Sequence, residues 1–261
     1  VSTDNLYQTP GSNVVEPSSG GELTDPQKRP ISDGWTWIAD GFGLFKTGIG
    51  VWIGMIIAYF VLIMVISIIP IVNFFAALIV PIFMGGFMVA ARHSDVAGGP
   101  SFSDLFAGFK EQTGNLVLLG LIQLGMYILL MIVAFALFFV IGGSGMAGMM
   151  AGGEPDPSQI QAMGFGFVLV FLIMLGISIP LMMAVWFSPA LVILNGLGPW
   201  TAFKLSFKGC LRNVVPFLWY GVIAFVLLFI AMIPLLLGLL VVGPVLTASM
   251  YTGYKAIFLS E

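Results

Sequence analysis

Six stretches of the chain carry no charge and are long enough to cross a bilayer. They run over about 49–69, 74–91, 116–141, 164–194, 214–233 and 235–254, and about 20 apolar residues in a helix span a hydrocarbon core of about 30 Å. Pro70 and Asn73 mark a turn between the first two, and Pro234 separates the last two. The middle pair is parted by a small-residue loop, Gly142 to Met163, that carries Glu154 and Asp156. Pro180 and Pro189 fall inside the fourth stretch, which predicts a kink or break there. Segments of another kind precede each pair. Wound at about 100° per residue, Thr201 to Asn213 gathers Phe203, Phe207 and Cys210 on one side and Lys204, Lys208 and Arg212 on another. Shorter relatives sit at Phe45-Lys46 and Phe109-Lys110. The pattern predicts an all-α integral membrane fold of six transmembrane helices in three hairpins, each preceded by a short amphipathic interfacial helix.

The same unit is written more than once. Lys46 is followed by Pro70 and then Pro81, and Lys208 by Pro234 and then Pro244, at nearly matching intervals. The middle copy matches less well, since its hairpin is interrupted by the 142–163 loop. Internal repetition at this scale is how stacked or duplicated helical units appear in sequence.

Composition agrees with the pattern. Of 261 residues 59% are hydrophobic and 8% are charged, against about 25% charged in soluble domains. Mean hydropathy is +1.08. Residues 1–33 differ from all that follows, being rich in Pro, Ser, Gly and acids. Asp4, Glu16, Glu22, Asp25 and Asp33 against Lys28 and Arg29 give this stretch the whole net charge of −3. It reads as a disordered cytoplasmic tail, leaving residues 34–261 as the six-span domain. The nine basic residues all fall on one side of the six-span layout, and the opposite loops hold none. The positive-inside rule then puts both termini and the three interfacial helices in the cytoplasm.

Candidate chemistry is sparse. No charged residue lies inside a predicted span, which argues against a proton- or ion-coupled pump. The polar residues at depth, Gln123, Ser178, Ser188, Thr247 and Ser249, read as glue between helices. A pathway for a hydrophobic substrate would look much the same. The broken fourth span, around Trp186-Phe187-Ser188, is a candidate for a discontinuous helix lining a site, but prolines also occur in ordinary transmembrane helices. Met146, Met149, Met150 and Met163 have no Cys or His nearby and read as filler rather than a copper site. His93 stands alone, as an interfacial residue. With no triad, phosphate loop or zinc spacing, the expectation is no catalytic, cofactor or metal site and no enzyme. The cationic positions Lys46, Lys110, Lys204, Lys208 and Arg212 are candidate contacts for anionic lipid headgroups. They are too few and too close to the bilayer for nucleic acid.

Gly34-Trp35-Thr36-Trp37-Ile38, Gly41-Phe42 and Leu44-Phe45-Lys46, followed by Trp52-Ile53-Gly54, resemble an uncharacterised proteobacterial family of multi-pass inner-membrane proteins. Ala202-Phe203-Lys204-Leu205-Ser206-Phe207-Lys208, with Asn213, is similar to a segment of YciC-type proteins and glycerophosphodiesterase membrane domains. The resemblance covers roughly 34–258, implies a bacterial inner membrane and an all-helical fold, and brings no catalytic residue with it. The expected role is a non-enzymatic accessory or scaffold subunit packed against another membrane protein. The alternative is a transporter or lipid-handling protein for a hydrophobic or uncharged substrate. A cavity at Pro180 to Pro189 would favour the second.

Overall fold

The structure, a computed structural model, describes residues 21–68, 70–150 and 157–260. Regular structure among them is helical. The helices are α1 Asp33–Lys46, α2 Ile49–Ile68, α3 Pro70–Val96, α4 Thr113–Met150, α5 Pro157–Trp186, α6 Ser188–Asn195, α7 Pro199–Arg212, α8 Val214–Met232 and α9 Leu239–Phe258, with a 3₁₀ helix at Phe102–Phe109. A short helix followed by two long ones therefore recurs three times. Pro81 precedes the helix end at Val96, and Pro244 that at Phe258, by nearly the same interval. Pro180 precedes the end of α6 at Asn195 by that interval too.

Five helical stretches are long and apolar enough to cross a membrane: Ile49–Ile68, Ala77–Val96, Thr113–Val140, Gly164–Asn195 and Val214–Met232. The chain is a multi-pass helical membrane protein. The sixth expected span falls on α9, which is helical but does not join these five. From Thr247 onward it carries Thr247, Ser249, Tyr251, Thr252, Tyr254 and Lys255, and it is among the most deeply packed helices. Those polar groups are satisfied inside the protein. Tyr220 Oη and Ser249 Oγ lie 2.7 Å apart, Thr252 Oγ1 donates to the Trp37 carbonyl at 2.8 Å, and the Tyr251 hydroxyl donates to Asp95 at 3.1 Å. A helix whose neighbours are protein has no need to be apolar all round.

The core sits at one end of the bundle, where the short helices meet α3 and α9. Trp37, Trp52, Phe87, Leu105, Leu191, Tyr251 and Phe258 are all buried there. Of the apolar 18-residue window in Ala77–Val96 61% is buried, against 0% of the one in Gly164–Asn195, so α3 is a pillar and α5 an outer helix. The short helix α1 is more than an interfacial float. Trp37, Ile38 and Phe45 are buried while Trp35 and Phe42 are exposed, and the inner face packs on α8 and α9. Gly41 permits this: a Cβ there would lie 2.7 Å from Ser249 N and 2.8 Å from the Val245 carbonyl.

Three boundaries differ from the sequence reading. Asn73 lies within α3, which begins at Pro70, where proline suits a first helical turn. Gly142 to Met150 continue α4 rather than forming a loop, while Glu154 and Asp156 lie outside the described residues. The last pair is joined by residues 233–238, with Leu235 and Leu236 at φ 50° and 67°, not by Pro234 alone. Of the polar stretch 1–33, residues 21–30 form an extended strap against the chain's other end. Leu23 pairs with Leu259 in an antiparallel bridge, and Thr24 N and Gln27 N donate to the Phe258 and Ile257 carbonyls at 2.7 and 2.8 Å.

Candidate functional site

The fourth apolar stretch is broken, and the break has a specific construction. Pro189 sits in the first turn of α6 and has no N–H to give the preceding turn, so α5 stops at Trp186 and Phe187 leaves the helical ladder. Its backbone N–H would ordinarily bond the Met183 carbonyl. Instead the Ser206 hydroxyl of α7 stands between them, accepting from Phe187 N at 3.0 Å and donating to the Met183 carbonyl at 2.7 Å. Ser206 is fully buried. A side chain inserted into the ladder is a recognised cause of sharp helix bends. Pro180 is accommodated within α5. The expected break is thus present at Phe187.

Two apolar cavities flank this break. One, of about 520 Å³, lies between α3, α4, α5 and α9 and is bordered by Met84, Met126, Leu175, Met182 and Pro189. The other, of about 330 Å³, lies between α5, α7 and α8 and is bordered by Met183, Cys210, Phe217 and Gly221. Ile179, Met182 and Trp186 border both. No charged side chain borders either. The first also takes in Gln123, Tyr127 and Ser178.

Of the five polar residues expected to glue helices, Ser249 does so through Tyr220. Gln123 bonds Tyr127 on its own helix at 2.9 Å, and Ser178 and Thr247 bond carbonyls of their own helices. Ser188 bonds the Ala184 carbonyl across the break at 2.5 Å.

The basic positions separate into two groups. Lys46 stacks over Phe42 at 5.2 Å, Lys204 over Trp200 at 5.6 Å, and Lys110 follows the 3₁₀ helix; all three are exposed. Lys208 and Arg212 hold the strap instead. Lys208 Nζ lies 3.0 Å from Asp25, and Arg212 Nη1 donates to the Pro26 carbonyl at 2.9 Å. Beside them the buried Asn213 amide accepts from Arg29 N at 2.7 Å and donates to the Gln27 carbonyl at 2.8 Å. Sequence reading misses both this clasp and the role of Ser206. Asn213 stands five residues after Lys208, as Asn115 does after Lys110, but nothing local says what its amide would meet.

A third cavity, polar and of about 630 Å³, lies among α1, the end of α3 and the end of α9. Its walls hold the ion pairs Arg29–Asp33 at 2.7 Å and Lys255–Asp95 at 2.6 Å. His93 Nδ1 lies 2.9 Å from the buried Asp104 carboxylate. No group of three or more potential metal ligands occurs among the described residues. The side chains of Met146, Met149, Met150 and Met163 lie outside those described.

Cys210 is buried. Desolvation pushes its thiol up to about 12. The folded protein therefore favours the neutral thiol. The stability this contributes is present below the ordinary thiol range and is lost as pH rises from about 9 toward 12. At pH 8 the thiolate fraction is expected to fall on the order of 1,000-fold below that of a free cysteine. Alkylation by iodoacetamide should be correspondingly slow until detergent denaturation exposes the thiol. Ready labelling of native protein at pH 8 would contradict the burial.

No protein-family model matches the chain, and no solved structure matches it. Among curated proteins, a probable inner membrane protein of Burkholderia thailandensis is similar to it. The two are 27% identical over 197 residues, which cover 74% of this chain and 73% of that protein.

Proposed function

We propose that this chain is a non-enzymatic multi-pass protein of a bacterial inner membrane that holds uncharged lipidic molecules beside its broken fourth span. The observation that carries the reading is the pair of apolar cavities on either side of Ile179–Trp186, free of charged walls. Ligand sites are typically concave, largely apolar and about 300–1,000 Å³, and a discontinuous helix is where membrane proteins often place them. The inner membrane is supported by the name of the Burkholderia protein. Six spans in three hairpins, with α9 as the last, are supported by the threefold element order. The cytoplasmic placement of both termini is supported by the one-sided basic residues. Exposed Lys46, Lys110 and Lys204 would there each gain about 1 kcal/mol from anionic headgroups.

Native mass spectrometry in a mild detergent tests the first claim. Wild-type protein is expected to carry bound lipid that is reduced when Ile179→Trp fills the space common to both cavities. A lipid-free wild type, or unchanged loading of the variant, would refute it. The sidedness needs an exposed reporter because Cys210 is buried. Lys110→Cys should react with a membrane-impermeant thiol reagent only after cells are opened, and labelling on intact cells would reverse the orientation.

A second reading, as an accessory or scaffold subunit, is favoured by α5. An outer helix with none of its apolar window buried by its own chain has a full face free for another membrane protein. Purification under mild detergent as a lone monomer would count against it.

A further inference from the structure

The cavity of about 520 Å³ is largely apolar; the Ser178 hydroxyl on its α5 wall is spent on the Met174 carbonyl at 2.7 Å, and a polar pair stands on its α4 wall. Gln123 and Tyr127 are one turn apart, on one face of the helix, and the Gln123 amide donates to the Tyr127 oxygen at 2.9 Å. That bond uses one donor of the amide and one lone pair of the phenol. It leaves the amide oxygen free to accept, and the phenol hydrogen and the second amide N–H free to donate. Rotating the amide by half a turn exchanges the roles and still leaves donors and acceptors free on the pair. Among the described residues neither side chain bonds another helix. The pair lies about 15–20 Å along α4 from Thr113, near the middle of a hydrocarbon core of about 30 Å. Polar groups left unmatched at that depth are costly, and Gln123 does not offset the cost by joining two helices.

We infer that this cavity binds a long-chain molecule bearing one uncharged hydroxyl, whose oxygen sits between Gln123 and Tyr127. A hydroxyl both donates and accepts, so it meets a free donor and a free acceptor together. Carboxylate and phosphate lack a cation among the residues bordering the cavity, and a bare alkane would leave both polar groups unmet. The chain would lie against Met84, Met126, Met182 and Met250, whose flexible thioethers adapt to irregular apolar shapes. This inference rests on the reading that the cavities beside the break hold lipidic molecules.

The test is equilibrium binding of radiolabelled 1-hexadecanol to the detergent-purified full chain by scintillation proximity, with hexadecane and palmitate as competitors. Hexadecanol is expected to bind about tenfold more tightly than hexadecane, with palmitate weakest. Gln123→Leu combined with Tyr127→Phe should bring alcohol and alkane to equal affinity without weakening the alkane. Tyr127→Phe alone should fall between the two. Equal competition by alcohol and alkane on wild type would overturn the inference and leave the lipidic cavity standing. Binding of none of the three would overturn both, and a preference for palmitate would overturn the uncharged hydroxyl.

Discussion

Replacing Ser206 by alanine is expected to lower the stability of the protein by about 2–4 kcal/mol. The hydroxyl serves two backbone groups at once, the Phe187 N–H and the Met183 carbonyl, and each buried polar group left unpaired costs about 1–3 kcal/mol. The two groups cannot simply find each other. Closing the ladder would straighten the chain through Pro189, whose ring clashes with the carbonyl of the preceding turn. Water could replace the hydroxyl only at the cost of entering a site where Ser206, Phe187 and Ser188 are fully or almost fully buried. Thermal unfolding in mild detergent should show the loss as a lower midpoint, and Ser206→Thr, which keeps the hydroxyl, should lose less. An unchanged midpoint for Ser206→Ala would mean the bend does not depend on this bridge.

The same residue shows why the break is legible in the sequence and its mechanism is not. Pro180 and Pro189 announce trouble in the fourth span from sequence alone, because an imino nitrogen cannot donate wherever it lies. Which proline ends the helix depends on what stands opposite. Pro180 is carried within α5, while Pro189 acts together with a serine of another helix, α7. Ser206 lies on the apolar side of α7 and looks like any small residue that lets helices approach. Its double hydrogen bond is a tertiary fact.

Hydropathy likewise locates the spans that face outward better than the one that faces inward. Stretches such as Ile49–Ile68 and Val214–Met232 are apolar on every side because little of them is covered by protein. Helix α9 is covered, so its hydroxyls bond Trp37, Tyr220 and Asp95 and its hydropathy falls. A sliding count of apolar residues cannot separate a satisfied buried tyrosine from a solvated one. The strap is hidden for a related reason. Residues 21–30 have no apolar periodicity and bind mainly through backbone groups, which every sequence possesses. The cationic face of α7 is visible as a face, but an acid and a carbonyl of the same chain occupy part of it, at Lys208 and Arg212.

Two glycines in α1 should respond to alanine with opposite signs. In a helix interior Gly→Ala is favourable by about 1 kcal/mol, through the entropy of the unfolded backbone. Gly43 has no atom within 4 Å of where its Cβ would be, so Gly43→Ala should gain most of that amount. Gly41 faces α9, and its Cβ would stand 2.7 Å from Ser249 N, 2.8 Å from the Val245 carbonyl and 2.9 Å from Ser249 Cα. Those atoms are backbone and cannot rotate away. Either α1 lifts off, straining the Thr252 bond to Trp37 and the buried Trp37–Phe217 contact at 5.2 Å, or the clash remains. Overpacking of this kind costs about 1–3 kcal/mol or more, which outweighs the helix preference. Gly41→Ala is therefore expected to lower the unfolding midpoint while Gly43→Ala raises it, in the same detergent and at the same pH. If both variants rose together, α1 would have to be a surface helix and its close packing on α9 would be wrong.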